Sequence, residues 1–204
     1  MEPALAVRGF VLGFTIAAAI GPISLLVMRR TLAEGRIVGL ASGLGVATAD
    51  GTYGAIAAFG LGAITQVLVD ARPLLGLAGG LFLIWLAWTT VRAEPNDPAT
   101  VPARRGGLAR AYASILGLTL TNPMTILSFG ALFAGLGVTG ADTREAALIT
   151  VGVFLGSCTW WVLLTTSVAA LRSRVTEAWI RRINVASGLA IGAFAVVSIA
   201  SVVL

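Results

Sequence analysis

The sequence lacks histidine and lysine altogether and contains a single cysteine, Cys158, among its 204 residues. One cysteine cannot form an internal disulfide or a dithiol relay. Without lysine the chain has no Walker A loop, because that loop requires a lysine to bind the nucleotide phosphates. Charged residues are also scarce at 11%, against about 25% in a typical soluble domain. We therefore exclude ATP hydrolysis by this chain, and we predict that it is not an enzyme and holds no cofactor.

Hydrophobic residues are correspondingly abundant, at 57% of the sequence, and the mean hydropathy is +0.95. They fall into six apolar stretches, at residues 7–28, 37–62, 74–91, 108–133, 146–170 and 183–204. Each stretch is close to the roughly 20 residues that a helix needs to cross a bilayer. The sequence therefore predicts an all-α integral membrane protein with six transmembrane helices, surrounded by the lipids of the cell (plasma) membrane.

All fourteen basic residues are arginines, and most of them lie in connections on one side of the predicted membrane. The connections after the first, third and fifth stretches hold eleven: Arg29, Arg30, Arg36, Arg92, Arg104, Arg105, Arg110, Arg172, Arg174, Arg181 and Arg182. The other side has only Arg8, Arg72 and Arg144. Because arginine-rich connections stay in the cytoplasm, both termini are predicted to be non-cytoplasmic. This grouping also argues against nucleic acid as a partner, in spite of the net charge of +5.

The two halves of the chain resemble each other. Gly21-Pro22 in the first stretch corresponds to Asn122-Pro123 in the fourth, 101 residues later. Asp50 in the second stretch corresponds to Ser157 in the fifth, at an offset of 107. Chance similarity between helices rich in small residues is the alternative interpretation. The constant order and the similar offsets favour an internal repeat.

The repeat has a consequence for topology. A segment at 92–107 that contains proline, glycine and charged residues predicts a cytoplasmic linker between the halves. Each half then has three membrane-spanning helices, at 1–91 and 108–204. Because three is an odd number, the second half would cross the membrane in the opposite direction. The sequence therefore predicts two inverted-topology three-helix repeats within one membrane domain, an arrangement typical of secondary transporters.

Pro22 and Pro123 lie inside the first and fourth predicted spans. A proline lacks the N–H donor and so frees the carbonyl four residues earlier, on Ala18 and on Thr119 respectively. Within a bilayer a free carbonyl must bind protein, water or ligand. Two such positions related by a repeat predict discontinuous helices 1 and 4 that share a site near the middle of the membrane. Two simple structural kinks are the alternative.

Asp50 is the only charged residue away from the ends of the six stretches. A carboxylate at this depth costs about 2.5 kcal/mol or more unless it is paired, hydrated or protonated, so it is a functional candidate by default. Small residues recur every three or four positions along the same stretch, which places Asp50 on the face that packs against other helices. Asp50 could bind the ammonium group of a substrate or a proton. A buried structural hydrogen bond is the alternative.

Several further residues could belong to the same site. Those we single out are Gly21, Ser24, Asn122, Thr125, Ser157 and Trp160. Hydroxyl and amide groups can bind a zwitterion, although they can equally bond their own backbone or a neighbouring helix. Trp160 follows Ser157 by three residues and so lies near it on a helix, although anchoring at the membrane interface is a common role for tryptophan. The sequence offers no set of ligands for a metal site.

These motifs together resemble the lysine exporter (LysE) family, which includes the threonine and homoserine efflux proteins. The matching motifs are Gly21-Pro22 followed by Arg-Arg-Thr-Leu-Ala-Glu-Gly at 29–35, Gly39 to Gly45 leading to Asp50, Asn122-Pro123, and Gly152 to Gly156 followed by Trp160. The resemblance covers nearly the whole chain. The family usually has Pro-Gly-Pro in the first span, whereas this chain has Ala-Ile-Gly-Pro at 19–22, which leaves the position of the helix break open.

The resemblance implies a secondary transporter that exports amino acids or related small metabolites from the cytoplasm, coupled to the proton gradient or the membrane potential. It also implies that Gly21-Pro22 and Asn122-Pro123 form the discontinuous core, with Asp50 beside it. Two other functions are left open by the residues alone. One is a divalent metal ion exporter, for which this chain has few ligands, and the other is a membrane scaffold subunit that transports nothing. The small-residue stripes could serve packing within the chain or a homodimer.

Overall fold

The computed structural model describes residues 2–19, 21–60, 70–92, 107–122, 125–126, 128–129, 142–171 and 177–203. Its helices are α1 (Glu2–Ala18), α2 (Pro22–Glu34), α3 (Arg36–Ala58), α4 (Arg72–Val91), α5 (Gly107–Leu120), α6 (Thr143–Leu171) and α7 (Glu177–Val203). The prediction of an all-α protein is therefore confirmed for the described residues. Pro123 and residues 93–106 of the predicted linker lie outside them.

The lengths of these helices agree with a membrane protein. Among the described residues, α6, with 29 residues, is the one helix that is long and apolar enough to cross a bilayer by itself. α1 and α2 meet the same criterion as a pair, which is bent by 77° at the break between them. Two further apolar segments, Gly76–Val91 and Gly107–Leu120, are shorter. The six spans and their inverted repeat stay a prediction.

The first predicted span is interrupted at its Gly-Pro motif. α1 ends at Ala18, Gly21 has an extended backbone (φ −145°, ψ −172°), and Pro22 stands in the first turn of α2. Proline is favoured at the start of a helix because the N–H that it lacks would have no partner there. Pro22 therefore begins a new helix instead of kinking a continuous one.

The fourth predicted span is also interrupted. α5 stops at Leu120, before Asn122. The carbonyl of Thr119, expected to lose its usual helical donor, has a partner within the protein, because the backbone N–H of Asn122 donates to it at 3.2 Å. The chain turns at this point and supplies its own donor. The carbonyl of Asn122 then accepts hydrogen bonds from the N–H groups of Thr125 (3.1 Å) and Ile126 (3.2 Å), which starts another helical turn.

Glycines allow the helices of the bundle to approach closely. α1 lies along α6, α3 packs against both α5 and α6, and α4 packs against α7. A Cβ atom added at Gly9 or Gly13 would collide with the backbone of α6. The converse holds for Gly152 and Gly156, where a Cβ would collide with the backbone of α1. The two helices therefore touch backbone to backbone, with no side chain between them at these points.

Apolar side chains fill the rest of the bundle in two clusters. One includes Val46 and Trp161, and the other includes Tyr53 and Val153. Val46 and Tyr53 both belong to α3 and stand on either side of Asp50 in the sequence. α3 therefore carries the Asp50 carboxyl to the junction between the two apolar clusters.

Candidate functional site

Asp50 lies in the second half of α3, where its side chain is only 2% exposed. The hydroxyl of Ser157 in α6 donates a hydrogen bond to Oδ2 of Asp50 at 2.7 Å. Among the described residues this is the one hydrogen bond that the Asp50 carboxyl accepts. An ionised carboxylate can accept about four. Asp50 therefore keeps the capacity to bind further donors, although it is almost completely buried.

The small-residue stripe of α3 turns Asp50 towards α6. A Cβ atom at Gly43 would meet the side chain of Trp161, and a Cβ at Gly51 would meet Phe154, with 3.3 Å to the nearest atom of that side chain. On the opposite face of α3, Leu44 is 46% exposed. Because every fourth residue of a helix shares a face, the stripe and Asp50 share the buried face. This agrees with the orientation predicted from the sequence.

Asp50 borders a cavity of about 250 Å³ at the break between α1 and α2. The residues that line it are Ile16, Ala17, Ala19, Gly21, Pro22, Ile23, Ser24, Val46, Asp50, Thr119, Asn122, Thr125, Ser128, Trp161 and Phe194. Six of the residues singled out from the sequence therefore meet at one cavity, namely Asp50, Gly21, Pro22, Ser24, Asn122 and Thr125. Ser157 contacts the site through its hydrogen bond to Asp50.

The N-terminus of α2 forms one wall of this cavity. Gly21 caps α2 without a side-chain hydrogen bond, and the hydroxyl of Ser24 donates back across the break to the carbonyl of Ala19 at 3.3 Å. The first N–H groups of any helix have no partner within it, and they carry a partial positive charge. An anionic group is therefore stabilised at such a position. The cavity thus combines a wall that favours negative charge with a carboxyl that favours positive charge.

Another part of the wall comes from the end of α5 and the turn that follows it. Thr119, Asn122, Thr125 and Ser128 supply hydroxyl and amide groups to the cavity. The hydroxyl of Thr119 donates to the carbonyl of Ile115 in its own helix at 2.9 Å, so its oxygen can still accept. These groups are uncharged. They can orient a polar molecule by hydrogen bonds without adding a second charge to the site.

Trp161 lines the cavity, whereas the structure does not bring the predicted Trp160 to it. Trp160 packs edge-on against Phe14 of α1, with 5.5 Å between the ring centroids. Successive helix residues point about 100° apart, so closeness to Ser157 in the sequence did not distinguish the two. The indole N–H of the buried Trp161 has no hydrogen-bond partner among the described residues.

A partly buried polar group was missed by the sequence reasoning. Arg30 of α2 donates to the hydroxyl of Ser42 (3.1 Å), the carbonyl of Ala111 (3.0 Å) and the hydroxyl of Ser114 (3.0 Å). We call these four residues the Arg30 cluster. The sequence analysis used Arg30 only as a topology signal, because its partners lie on α3 and α5, which are distant along the chain. Only a search for hydroxyls on the neighbouring helices could have found it.

The chemistry of the cavity suits a small organic molecule. Within the described part of the chain, no three His, Cys, Asp or Glu side chains lie close enough together to hold a metal ion. The cavity instead has one carboxyl, several hydroxyl and amide groups, and apolar surface from Ile16, Val46 and Phe194. A few placed polar groups on a largely apolar wall are typical of sites for small molecules.

Comparison with known proteins adds independent information. The family described as LysE type translocator matches residues 14–201. The chain is 31% identical to the uncharacterized membrane protein YahN of Escherichia coli K12 over 83% of this chain and 78% of that protein. It is 24% identical to the putative amino acid efflux protein YcgF of Bacillus subtilis over 90% of both chains. The threonine efflux protein of Escherichia coli K12 is 29% identical over 56% of this chain and 57% of its own length. No solved structure matches the chain.

Proposed function

The chain belongs to the LysE type translocator family, and from this premise we propose that it exports amino acids or related small metabolites from the cytoplasm across the cell membrane. As a member of this family it is a membrane transporter and not an enzyme. The similarity to a threonine efflux protein and to a putative amino acid efflux protein supports amino acids as the substrate class. The cavity at Asp50 supports transport in preference to a purely structural subunit.

The observation that carries this proposal is a buried carboxyl at the wall of a polar cavity. Asp50 is 2% exposed, yet it accepts one hydrogen bond from the described residues and borders about 250 Å³ of space. A carboxylate in this setting is stabilised by a bound cation or by a proton. An amino acid supplies an ammonium group. Asp50 is therefore the group at which substrate and proton compete.

This competition provides a simple form of coupling. A substrate ammonium that binds Asp50 displaces a proton, and a proton that binds Asp50 releases the substrate. Each occupant stabilises a different arrangement of the helices if the two arrangements differ in access to Asp50. Export would then be driven by the proton gradient, or by the membrane potential when a net charge moves with the substrate.

Packing within the bundle supports two inverted repeats, at 1–91 and 108–204. If α1 and α2 correspond to α5 and the turn after it, α3 to α6, and α4 to α7, each contact should have a mirror contact. α1 packs on α6, and α5 correspondingly packs on α3. The contacts between α3 and α6 and between α4 and α7 each join equivalent helices. The Asp50–Ser157 bond lies at the centre of this arrangement.

The arginine distribution supports an orientation with both termini outside the cytoplasm. α2 carries Arg29 and Arg30 near its C-terminal end and its N-terminus faces the cavity. In this orientation α2 separates the cavity from the cytoplasm. Substrate entering from the cytoplasm would have to pass it, so α2 is the element expected to move during the transport cycle.

The proposal is tested by Asp50→Asn, which keeps the shape of the side chain and removes its charge. Purified variant protein is reconstituted in liposomes, and counterflow is measured with a panel of radiolabelled amino acids. We expect wild-type protein to exchange at least one of them and Asp50→Asn to lose gradient-driven export. Exchange without a gradient should also be lost if Asp50 binds the ammonium group, and should persist if Asp50 binds only the proton.

Thr52→Ala serves as the matched control. Thr52 lies two residues after Asp50 on the exposed face of α3, where its hydroxyl donates to the carbonyl of Thr48 in the same helix at 2.8 Å. Its removal leaves the cavity unchanged, so transport should be unaffected. Full gradient-driven export by a correctly folded Asp50→Asn protein would contradict both roles of Asp50.

A further inference from the structure

The charge content of the cavity limits which amino acids it can hold. Asp50 is the one ionisable side chain among the described residues of its lining. In the sequence, no Asp, Glu, Lys or Arg occurs between residues 111 and 141. Both arginines of α2 are already engaged, since Arg29 donates to the side-chain oxygen of Asn184 at 3.0 Å and Arg30 donates three hydrogen bonds.

A zwitterion has one partner in the cavity for each of its two charges. Its ammonium group matches Asp50. Its carboxylate matches the N–H groups at the start of α2, which Gly21 leaves without a side-chain cap. Trp161 adds aromatic surface to the wall of the same cavity. After these pairings the cavity has only neutral polar groups and apolar surface to offer to the substrate side chain.

A third charge would have no partner of opposite sign. A second ammonium group would be desolvated against hydroxyls and apolar surface, since the single carboxyl is already occupied. A second carboxylate would add negative charge to a site that contains Asp50. Removing an unpaired charge from water is unfavourable in both cases.

On the basis of the proposed amino acid export, we infer that this site selects α-amino acids with an uncharged side chain and rejects those with a second ammonium or a second carboxylate group. The selectivity follows from one carboxyl and one helix N-terminus facing the same cavity. It does not depend on the size of the side chain.

Two pairs of substrates test this inference, because the members of each pair differ mainly in one charge. Norleucine and lysine have the same chain length, and lysine adds an ε-ammonium group. Glutamine and glutamate have nearly the same shape, and glutamate adds a carboxylate. Counterflow of each radiolabelled compound is measured with wild-type protein in liposomes. We expect the uncharged member of each pair to be exchanged at least about tenfold faster than its charged partner.

The outcomes separate this inference from the function on which it rests. Lysine exchanged as fast as norleucine, or glutamate as fast as glutamine, would overturn the selectivity and leave amino acid export standing. The absence of exchange for all twenty common amino acids and norleucine would instead overturn amino acid export, and the selectivity with it. Tenfold discrimination in both pairs would support both.

A second carboxylate placed in the cavity should reverse part of the selectivity. Ser128 lines the cavity and carries an uncharged hydroxyl. In Ser128→Asp the ratio of lysine to norleucine exchange should rise at least about tenfold, since the second ammonium gains a partner. Ser128→Asn, of nearly the same size, should keep the wild-type ratio. Thr125→Asp and Thr125→Asn provide the same comparison if the Ser128 variants do not fold. An equal ratio in the Asp and Asn variants would contradict the inference.

Discussion

Two polar side chains in contact with α3 differ in how many hydrogen bonds they form. Arg30 of α2 donates three hydrogen bonds to groups on α3 and α5. The carboxyl of Asp50, further along α3, accepts one hydrogen bond from the described residues, and it borders the cavity of about 250 Å³. Arg30 is partly buried, whereas Asp50 is only 2% exposed.

The difference separates structure from function. A charged group that already donates several hydrogen bonds fixes the helices that contribute its partners. A buried charge with unused hydrogen-bonding capacity beside a cavity is costly for the protein alone, and becomes stabilised when a ligand supplies the missing partner. We therefore propose that the Arg30 cluster docks α2 and that Asp50 binds substrate. The following variants should separate these two roles.

Arg30→Ala should have the largest effect on stability. Three hydrogen bonds from a charged donor are lost together, and two hydroxyls and a carbonyl on α3 and α5 each lose one donor. We expect the free energy of unfolding to fall by on the order of 3 kcal/mol, with a lower melting temperature in detergent. Arg30→Lys should recover only part of this loss, because lysine keeps the charge without the planar fork.

Arg36→Ala is the control for the Arg30 experiment. Arg36 is the first residue of α3 and has an exposed side chain, so its removal tests the loss of a positive charge at the same end of the bundle. Its melting temperature should stay close to that of the wild type. Equal melting temperatures for Arg30→Ala and Arg36→Ala would mean that the three hydrogen bonds of Arg30 do not hold α2 in place.

The sequence predicted the helical class, the break after α1 and the inward orientation of α3, because each depends on local patterns. Apolar stretches, a Gly-Pro pair and the spacing of glycines are all properties of neighbouring residues. Contacts between residues that are distant along the chain cannot be predicted from such local patterns. Arg30 has partners on two other helices, and Trp161 lines the cavity where Trp160 was expected, because the rotation of α6 is set by packing against α1 and α3. To predict the hydrogen bond from Asn122 to Thr119, the path of the turn after α5 would likewise have to be known.

The site residues of the sequence analysis illustrate the same limit. Asp50 stood out because a charge within an apolar stretch is costly wherever it packs. The correspondence of Asp50 with Ser157 was visible as a repeat. Their hydrogen bond could not be predicted, because it requires the two residues to lie at the same level along the packed helices α3 and α6. Thr119 and Ser128 make the fourth stretch unusually polar, but a hydroxyl in a helix can equally bond its own backbone, and Phe194 carries no sequence signal of its own. They reach the cavity only because their helices end or cross there.

Two serine-to-alanine substitutions, each of which removes one hydroxyl, compare the hydrogen bonding of Asp50 with that of Arg30. Ser157→Ala removes the one hydrogen bond that Asp50 accepts from the described residues, whereas Ser42→Ala removes one of the three that Arg30 donates. Each should cost about 1 kcal/mol of stability. Transport should differ, since Ser157 orients the carboxyl that binds substrate. We expect Ser157→Ala to reduce the rate of counterflow by about tenfold, and Ser42→Ala to leave it near the wild-type value.

The half-saturation concentration for counterflow distinguishes positioning from a general loss of folded protein. A higher half-saturation concentration in Ser157→Ala, at an unchanged amount of folded protein, is the expected sign of a misplaced carboxyl. Equal transport by the two serine variants would contradict this expectation. It would show that the Ser157–Asp50 hydrogen bond, like the Ser42–Arg30 bond, contributes to stability and not to transport.

Pro22→Ala should have the smallest effect, and it tests the nature of the helix break. Since Pro22 stands in the first turn of α2, its replacement should lower stability by less than about 1 kcal/mol. A proline within a continuous helix would behave in the opposite way, because alanine at such a position gains about 3 kcal/mol. A large rise in melting temperature would therefore indicate that α1 and α2 form one helix in the membrane.

The central claim is that substrate binds at the Asp50 carboxyl, and chemical modification in the presence of substrate tests it most directly. Dicyclohexylcarbodiimide partitions into membranes and reacts with buried carboxyl groups, and mass spectrometry of the peptide that contains Asp50 reports the modified fraction. Asp50→Asn provides the unreactive control. Our account predicts that Asp50 is modified in the free protein and that a transported amino acid slows the modification with the concentration dependence of counterflow. Modification of Asp50 at the same rate with and without a saturating, transported amino acid would contradict it.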